Sequence, residues 1–213
     1  MRHTRITSMA LLLALTLVAG AGLLSACGSS DESGAPGAGG TSGDEATGAT
    51  AYRNDDYGFA LEYPAGWKQS EATSASEAGS DAAFSVAFAD PDSTVVDDVA
   101  TDGVQVAVYE LTREVAPEEV PQLKAEFQGI VDQMMGGLED GKIKDPLDDV
   151  ELNDVPGFGF SYTYAYQGTP VRASVFFLVK GASEYQITAQ ASMDRWNEVA
   201  PELEATAMSF RAD

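Results

Sequence analysis

The sequence predicts an α+β domain: an antiparallel β-sheet meander flanked by two amphipathic helices. Three observations carry this. Several short runs alternate apolar and small or polar residues with the period of a half-buried strand, most clearly Phe59–Leu61–Tyr63 and Phe158 through Tyr166. Two other segments repeat their apolar residues at spacings of three and four, as a helix with one buried stripe requires. The turns between strands are short, which forces antiparallel pairing because a parallel crossover needs a dozen residues or more.

The elements follow in order. Asn54-Asp55-Asp56-Tyr57-Gly58 reads as a tight turn joining two strands, the second being Phe59 to Tyr63. Pro64-Ala65-Gly66-Trp67 breaks that strand, and Gln69 to Asp81, small and polar, reads as a loop. Phe84–Val86–Phe88 and Val104–Val106–Val108 are two further strands, separated by an acidic loop from Asp90 to Asp102. Pro117 to Met135 is the first helix, with Val120, Leu123, Phe127, Ile130 and Met134 on one face, acids in its first turn and Gly136-Gly137 as its stop. A strand from Phe158 to Tyr166, a hairpin turn at Gln167-Gly168, a β-forming run from Val171 to Lys180, a turn at Gly181-Ala182 and a strand through Tyr185, Ile187 and Ala189 come next. The second helix runs from about Asp194 to Ala207, with Trp196, Val199, Ala200 and Leu203 on its inner face.

The amino-terminal 26 residues read as an address rather than as fold. Arg2 and Arg5 form a positive start, and Met9 to Leu24 is apolar apart from Thr16, too short a run for a stable span of about 20 residues. Leu24-Ser25-Ala26-Cys27 then resembles the bacterial lipobox. That resemblance implies diacylglycerol on the Cys27 thiol, cleavage before Cys27 and a lipid anchor on the extracytoplasmic face of the cell membrane. Two acyl chains hold where one is marginal, at about 0.8 kcal/mol per buried CH₂. Residues 27–51 carry the lipidated cysteine and a Gly/Ser/Ala/Thr-rich tether; the 23 residues from Gly28 to Thr50 have a root-mean-square reach of roughly 25 Å. The globular domain is expected over residues 52–213, as a monomer.

Charge excludes one class of partner. Of 213 residues, 12 are Lys or Arg and 34 are Asp or Glu, a net charge of −22. Removing Arg2 and Arg5 with the first 26 residues leaves a net of −24. Such a surface repels nucleic acid and anionic headgroups. Chemistry is restricted as well. The sole histidine is His3 and the sole cysteine is Cys27. The domain therefore has no Ser-His-Asp or Cys-His nucleophile, no His/Cys zinc site and no internal disulfide. Neither a Ser-x-x-Lys pattern nor a phosphate loop occurs, and no cofactor is expected. Gly157-Phe158-Gly159 opens a strand and lacks the further glycine a phosphate loop needs.

Carboxylates and aromatic rings remain. Asp90-Pro91-Asp92, Asp97-Asp98 and Asp145 to Glu151 are acidic clusters, read first as solvated loops. Asp145, Asp148 and Asp149 are the weak calcium candidates, although EF-hand spacing is absent. A two-carboxylate glycosidase is a third, minor reading. The ladder Phe158–Phe160–Tyr162–Tyr164–Tyr166 packs beneath a helix, or else its outer end lines a groove for sugar or apolar ligand. Trp67, Tyr162, Tyr164 and Tyr166 are the candidate ligand or partner face, with Trp67 otherwise a lid on the core.

The ordered motifs also resemble a family. Tyr57-Gly58-Phe59, Tyr63-Pro64-Ala65-Gly66-Trp67, a central helix, Val155-Pro156-Gly157 before an aromatic strand, and a last helix followed by Ser209-Phe210 are similar to PsbP-like and Mog-type domains. LpqN-type lipoproteins of actinobacteria carry such a domain on a lipid anchor. The resemblance implies an α-β-α sandwich and a non-enzymatic binding or assembly role with a protein partner in the cell envelope. It supplies no catalytic residue.

Overall fold

The computed structural model describes residues 48–72 and 81–213. The leader, the lipobox (Leu24, Ser25, Ala26), Cys27 and most of the tether lie outside them. The chain forms β1 (Ala49–Asn54), β2 (Phe59–Pro64), β3 (Lys68–Ala72), β4 (Phe84–Ala89), β5 (Val95–Val96), β6 (Val99–Ala100) and β7 (Gly103–Val115). A 3-10 turn (Pro117–Leu123) leads into α1 (Lys124–Gly137). Then come β8 (Glu139–Leu152), β9 (Val155–Tyr166), β10 (Thr169–Ser192), α2 (Trp196–Met208) and β11 (Arg211–Ala212).

The main sheet has the order β3-β4-β7-β10-β9-β8, and every pair in it is antiparallel. Within it β10 fills two rows. Its first half pairs with β9 and its second half with β7. The strand doubles back at Gly181-Ala182, so that Met193 N–H donates to Pro170 O at 2.9 Å. Gly181 holds φ at +61°, a conformation glycine adopts without steric cost. The turn expected there is present, as is the one at Gln167-Gly168.

Strand alternation gives the sheet two cores, one per face. On one side Phe84, Val106, Leu178 and Ile187 pack against α2, through Trp196, Val199 and Leu203, and against the small sheet β1-β2-β11, through Phe59 and Leu61. On the other side Phe158, Phe160, Tyr162, Val175 and Phe177 pack against Val120, Phe127, Val131 and Met134 of the 3-10 turn and α1. Residues Val171 to Lys180 read as a continuous apolar run because consecutive side chains enter opposite cores. Phe177 joins one and Leu178 the other.

Several expectations are corrected. The three strand-forming residues Ala49, Thr50 and Ala51 were assigned to the tether but begin β1. Residues 69–72, read as loop, belong to the edge strand β3, whose polar composition hid it. The Asp90–Asp102 loop contains the β5–β6 hairpin, turned at Asp97 and Asp98, both at positive φ. The acidic stretch Asp145 to Glu151 is not a loop but part of β8, a 14-residue edge strand. The first helix is 3-10 through Leu123, since Pro121 offers no N–H for an α-helical bond. It runs through the expected Gly136-Gly137 stop before ending.

Candidate functional site

The aromatic ladder of β9 is mostly core. Phe158, Phe160 and Tyr162 are buried, and Phe127 of α1 sits 5.1 Å from the Phe158 ring and 5.2 Å from Phe177. Tyr162 has no exposed surface, and its hydroxyl finds no hydrogen-bond partner among the described residues. Burial pushes its phenol well above the ordinary value, the neighbouring Tyr164 adding to this. Tyr164 and Tyr166, further out, are half-buried. The Tyr164 hydroxyl donates to Gln190 Oε1 at 3.2 Å, and burial holds its pKa at about 12. Trp67 is also buried, packed with Tyr63 and Phe88 in the α2-side core. Trp67 and Tyr162 are therefore core, on opposite faces of the sheet, while Tyr164 and Tyr166 stay half-exposed at the outer end of β9.

Removing the orphaned hydroxyl tests this packing. A buried, unsatisfied donor costs about 1–3 kcal/mol. Tyr162→Phe is expected to leave stability unchanged or raise it by about 1 kcal/mol in urea unfolding. A clear loss would mean that the hydroxyl has a partner.

The calcium candidates separate. The Asp145 carboxylate accepts from the Ser161 hydroxyl. Asp148 and Asp149 each lie 3.1 Å from Lys124 Nζ on α1. Asp148 is lowered below the usual carboxylate range by the Asp149 N–H and then by Lys124. Among the described residues no group of three acids comes together to hold a metal ion.

Sequence reasoning missed the densest polar constellation. Arg195, at the start of α2, donates from Nη1 to Asp102 Oδ2 at 2.8 Å and from Nη2 to Asp90 Oδ2 at 2.9 Å. Asp102 has no exposed surface and Asp90 almost none. Asp102 Oδ1 accepts from Thr101 Oγ1 and from Ser192 N–H, both at 2.8 Å. Burial works against the guanidinium's charge, yet Asp90 and Asp102 outweigh it and raise its pKa. These are two convergent buried carboxylates, the feature a hydrolase would need. However, both are ion-paired to one cation and hydrogen-bonded to the chain, so they clamp the Asp90–Asp102 segment to α2. Only Asp90 was flagged by sequence; Asp102 and Arg195 stand 93 positions apart, and no local signal connects them.

One further acid is perturbed. Glu184 on β10 faces Tyr109 across β7, and burial pushes its carboxyl up to about 7. The folded state holds this proton more tightly than the unfolded chain. The group's contribution to stability is therefore complete below about 4.5 and is lost as pH rises through about 7. Glu184→Gln is expected to flatten that part of the profile. Urea midpoints at about pH 5 and about pH 8 check it, and the same pH difference in variant and wild type would contradict it.

Two shallow, open depressions of about 340 Å³ each mark the surface. One lies between the 3-10 turn and the β8–β9 hairpin, lined by Val120, Pro121, Val150 and Pro156. The other lies at the Gln167-Gly168 end of the sheet, lined by Tyr164 of the aromatic ladder together with Glu139, Asp140, Lys142, Lys144 and Met193.

These features define a class of protein: an α-β-α sandwich whose two sheet faces are consumed by packing and whose buried ion pairs are structural. The chain belongs to the PsbP family, whose profile matches residues 47–212. Two solved structures agree on the fold. Cyanobacterial PsbP (CyanoP) from Synechocystis is 17% identical with a TM-score of 0.53, over 82% of this chain and 98% of its own. A protein from Bacteroides thetaiotaomicron is 12% identical with a TM-score of 0.51, over 78% of this chain and 49% of its own. LpqN of Mycobacterium tuberculosis, described as involved in cell envelope biogenesis, is 14% identical with a TM-score of 0.49, over 78% and 91%. No curated protein sequence matches the chain.

Proposed function

We propose that this protein is an exported lipoprotein, held by lipid on Cys27 at the extracytoplasmic face of the cell membrane. It serves there as a non-enzymatic binding or accessory factor for an envelope protein complex. The observation that supports a protein-binding role over a ligand-carrying one is the closure of the aromatic ladder. Phe158, Phe160 and Tyr162 are spent on the α1-side core, so only the outer end of the ladder, at Tyr164 and Tyr166, is left to a sugar or apolar ligand. The domain also lacks histidine and cysteine, and its convergent carboxylates are both ion-paired to Arg195. Membership of the PsbP family supports the same reading. Nucleic acid is disfavoured by the acidic surface.

Crosslinking in intact cells followed by pull-down tests this directly. A small set of envelope proteins should be captured by the wild type and not by Cys27→Ala. Capture that is indifferent to the cysteine, or no enrichment over a denatured control, would contradict the reading.

A further inference from the structure

The strand registers give the domain two distinct ends, and the tether leaves from one of them. Gly48 O accepts from Ala65 N–H at 2.9 Å, which places the start of the described chain beside the β2–β3 turn. Lys68, just past that turn, pairs with Ala89, and Ala89 pairs with Gly103. The Asp90–Asp102 segment therefore projects from the tether end. The end of β10 lies there too, because Ser192 N–H donates to Asp102 and Met193 N–H to Pro170 O. The start of β8 joins them through the pairing of Glu139 with Ala165. At the opposite end, roughly 40 Å away along the 13 residues of β7, are Asn153-Asp154, Gly181-Ala182 and the carboxy terminus.

Exposed apolar residues are unequally shared between these ends. Val95 is 63% exposed, Met193 43% and Ile143 42%, and all three belong to the tether end or its flank. Among the described residues only Met208, at 52%, is a large exposed hydrophobic at the far end. Val95 and Met193 are linked rather than scattered. Thr94 Oγ1 lies 3.2 Å from Ser192 Oγ, which brings the chain at Val95 beside that at Met193. Met193 shares the depression of about 340 Å³ with Glu139, Asp140, Lys142 and Lys144, whereas Ile143 pairs with Tyr162 and faces the α1 side of the sheet. Neither lysine is ion-paired to a carboxylate among the described residues, in a chain with 34 acids. The β5–β6 hairpin that carries Val95 is fixed at its base by the buried Arg195–Asp90–Asp102 cluster, so its position is preorganised.

The geometry points to a membrane-contact surface: Val95 and Met193, with Lys142 and Lys144 beside them, rest this end of the domain on the lipid surface that anchors it. This deepens the lipoprotein reading and rests on it. Two apolar side chains are too few to recruit a free protein with so many acids. A tether from Gly28 to Gly48 makes the contact intramolecular, however, and raises the local concentration of lipid enough for weak contacts to orient the domain. Long lysine stems lie along the apolar boundary with their ammonium groups at headgroup level. The net negative charge favours neutral over anionic lipid.

The test uses the lipidated protein reconstituted in phosphatidylcholine vesicles. With Cys27 acylated, an introduced cysteine is the only free thiol and takes an environment-sensitive fluorophore. Val95→Cys and Met193→Cys report the tether end and Asp154→Cys the far end. A lipid-borne spin-label quencher should quench the first two at least about threefold more than the third. Introducing Met193→Glu should reduce quenching at position 95 while leaving vesicle flotation intact. Equal quenching at both ends overturns the proposal, and leaves this end to a protein partner instead. Stronger quenching at position 154 overturns it too. A wild-type protein that fails to float with the vesicles overturns the anchor itself, an outcome distinct from either.

Discussion

Arg195→Ala should cost the domain about 3–5 kcal/mol, the range for breaking a buried ion pair from one side. Among the described residues the guanidinium is the only cation touching Asp90 and Asp102, and its side chain is 19% exposed against 9% and 0% for the two acids. Its removal leaves two carboxylates facing one another in a region that water barely reaches. The loss also releases a backbone tie, since Nη1 donates to Asp92 O at 2.6 Å. Arg195→Lys should recover only part of the stability, because an ammonium cannot span both acids as the planar fork does. Urea unfolding with an unchanged denaturant slope is the measurement. A loss below about 1 kcal/mol would place the cluster among ordinary surface pairs. Should Arg195→Ala not fold at all, Asp90→Asn offers a milder version in which one carboxylate charge is removed and the Asp102 pair survives.

Gly157→Ala should be nearly as damaging, by about 3 kcal/mol, the upper end of ordinary overpacking. A Cβ on residue 157 would lie 1.9 Å from the carbonyl oxygen of Phe177 and 2.9 Å from the Cα of Leu178. Both are backbone atoms of the neighbouring row of the sheet, and they cannot turn aside as a flexible side chain would. This explains the glycine of the Val155-Pro156-Gly157 motif in physical terms. The motif brings β9 against β10 at closer range than any side chain permits. Gly129→Ala is the internal control: it meets nothing within 4 Å in α1 and should be tolerated or mildly stabilising. Thermal or urea unfolding of the two variants decides the matter, and equal stability would remove the steric account.

What the sequence makes legible depends on whether an element buries one face. Phe59, Leu61 and Tyr63 enter the core while Glu62 stays exposed, and the alternation is plain in the residues. Val120, Phe127 and Met134 mark the α1 stripe in the same way. By contrast, β8 carries acids and lysines along most of its length and buries only Leu147 and Leu152, so its composition is that of a solvated loop. Its three register irregularities and Pro146 suit an edge that discourages further strand pairing. The short edge strand β3 is polar for the same reason. At the candidate site, the abundance of tyrosine on β9 was visible, but which rings are covered depends on where α1 lands. The Arg195 clamp joins three segments distant in sequence, and nothing local to any of them announces it.

The central claim is that lipid on Cys27 holds this domain at the membrane, and metabolic labelling with a palmitate analogue followed by cell fractionation tests it most directly. Wild-type protein should carry the label and sediment with membranes, while Cys27→Ala should be unlabelled and released into the soluble fraction. Equal labelling, or equal membrane retention, of the two proteins would contradict the account.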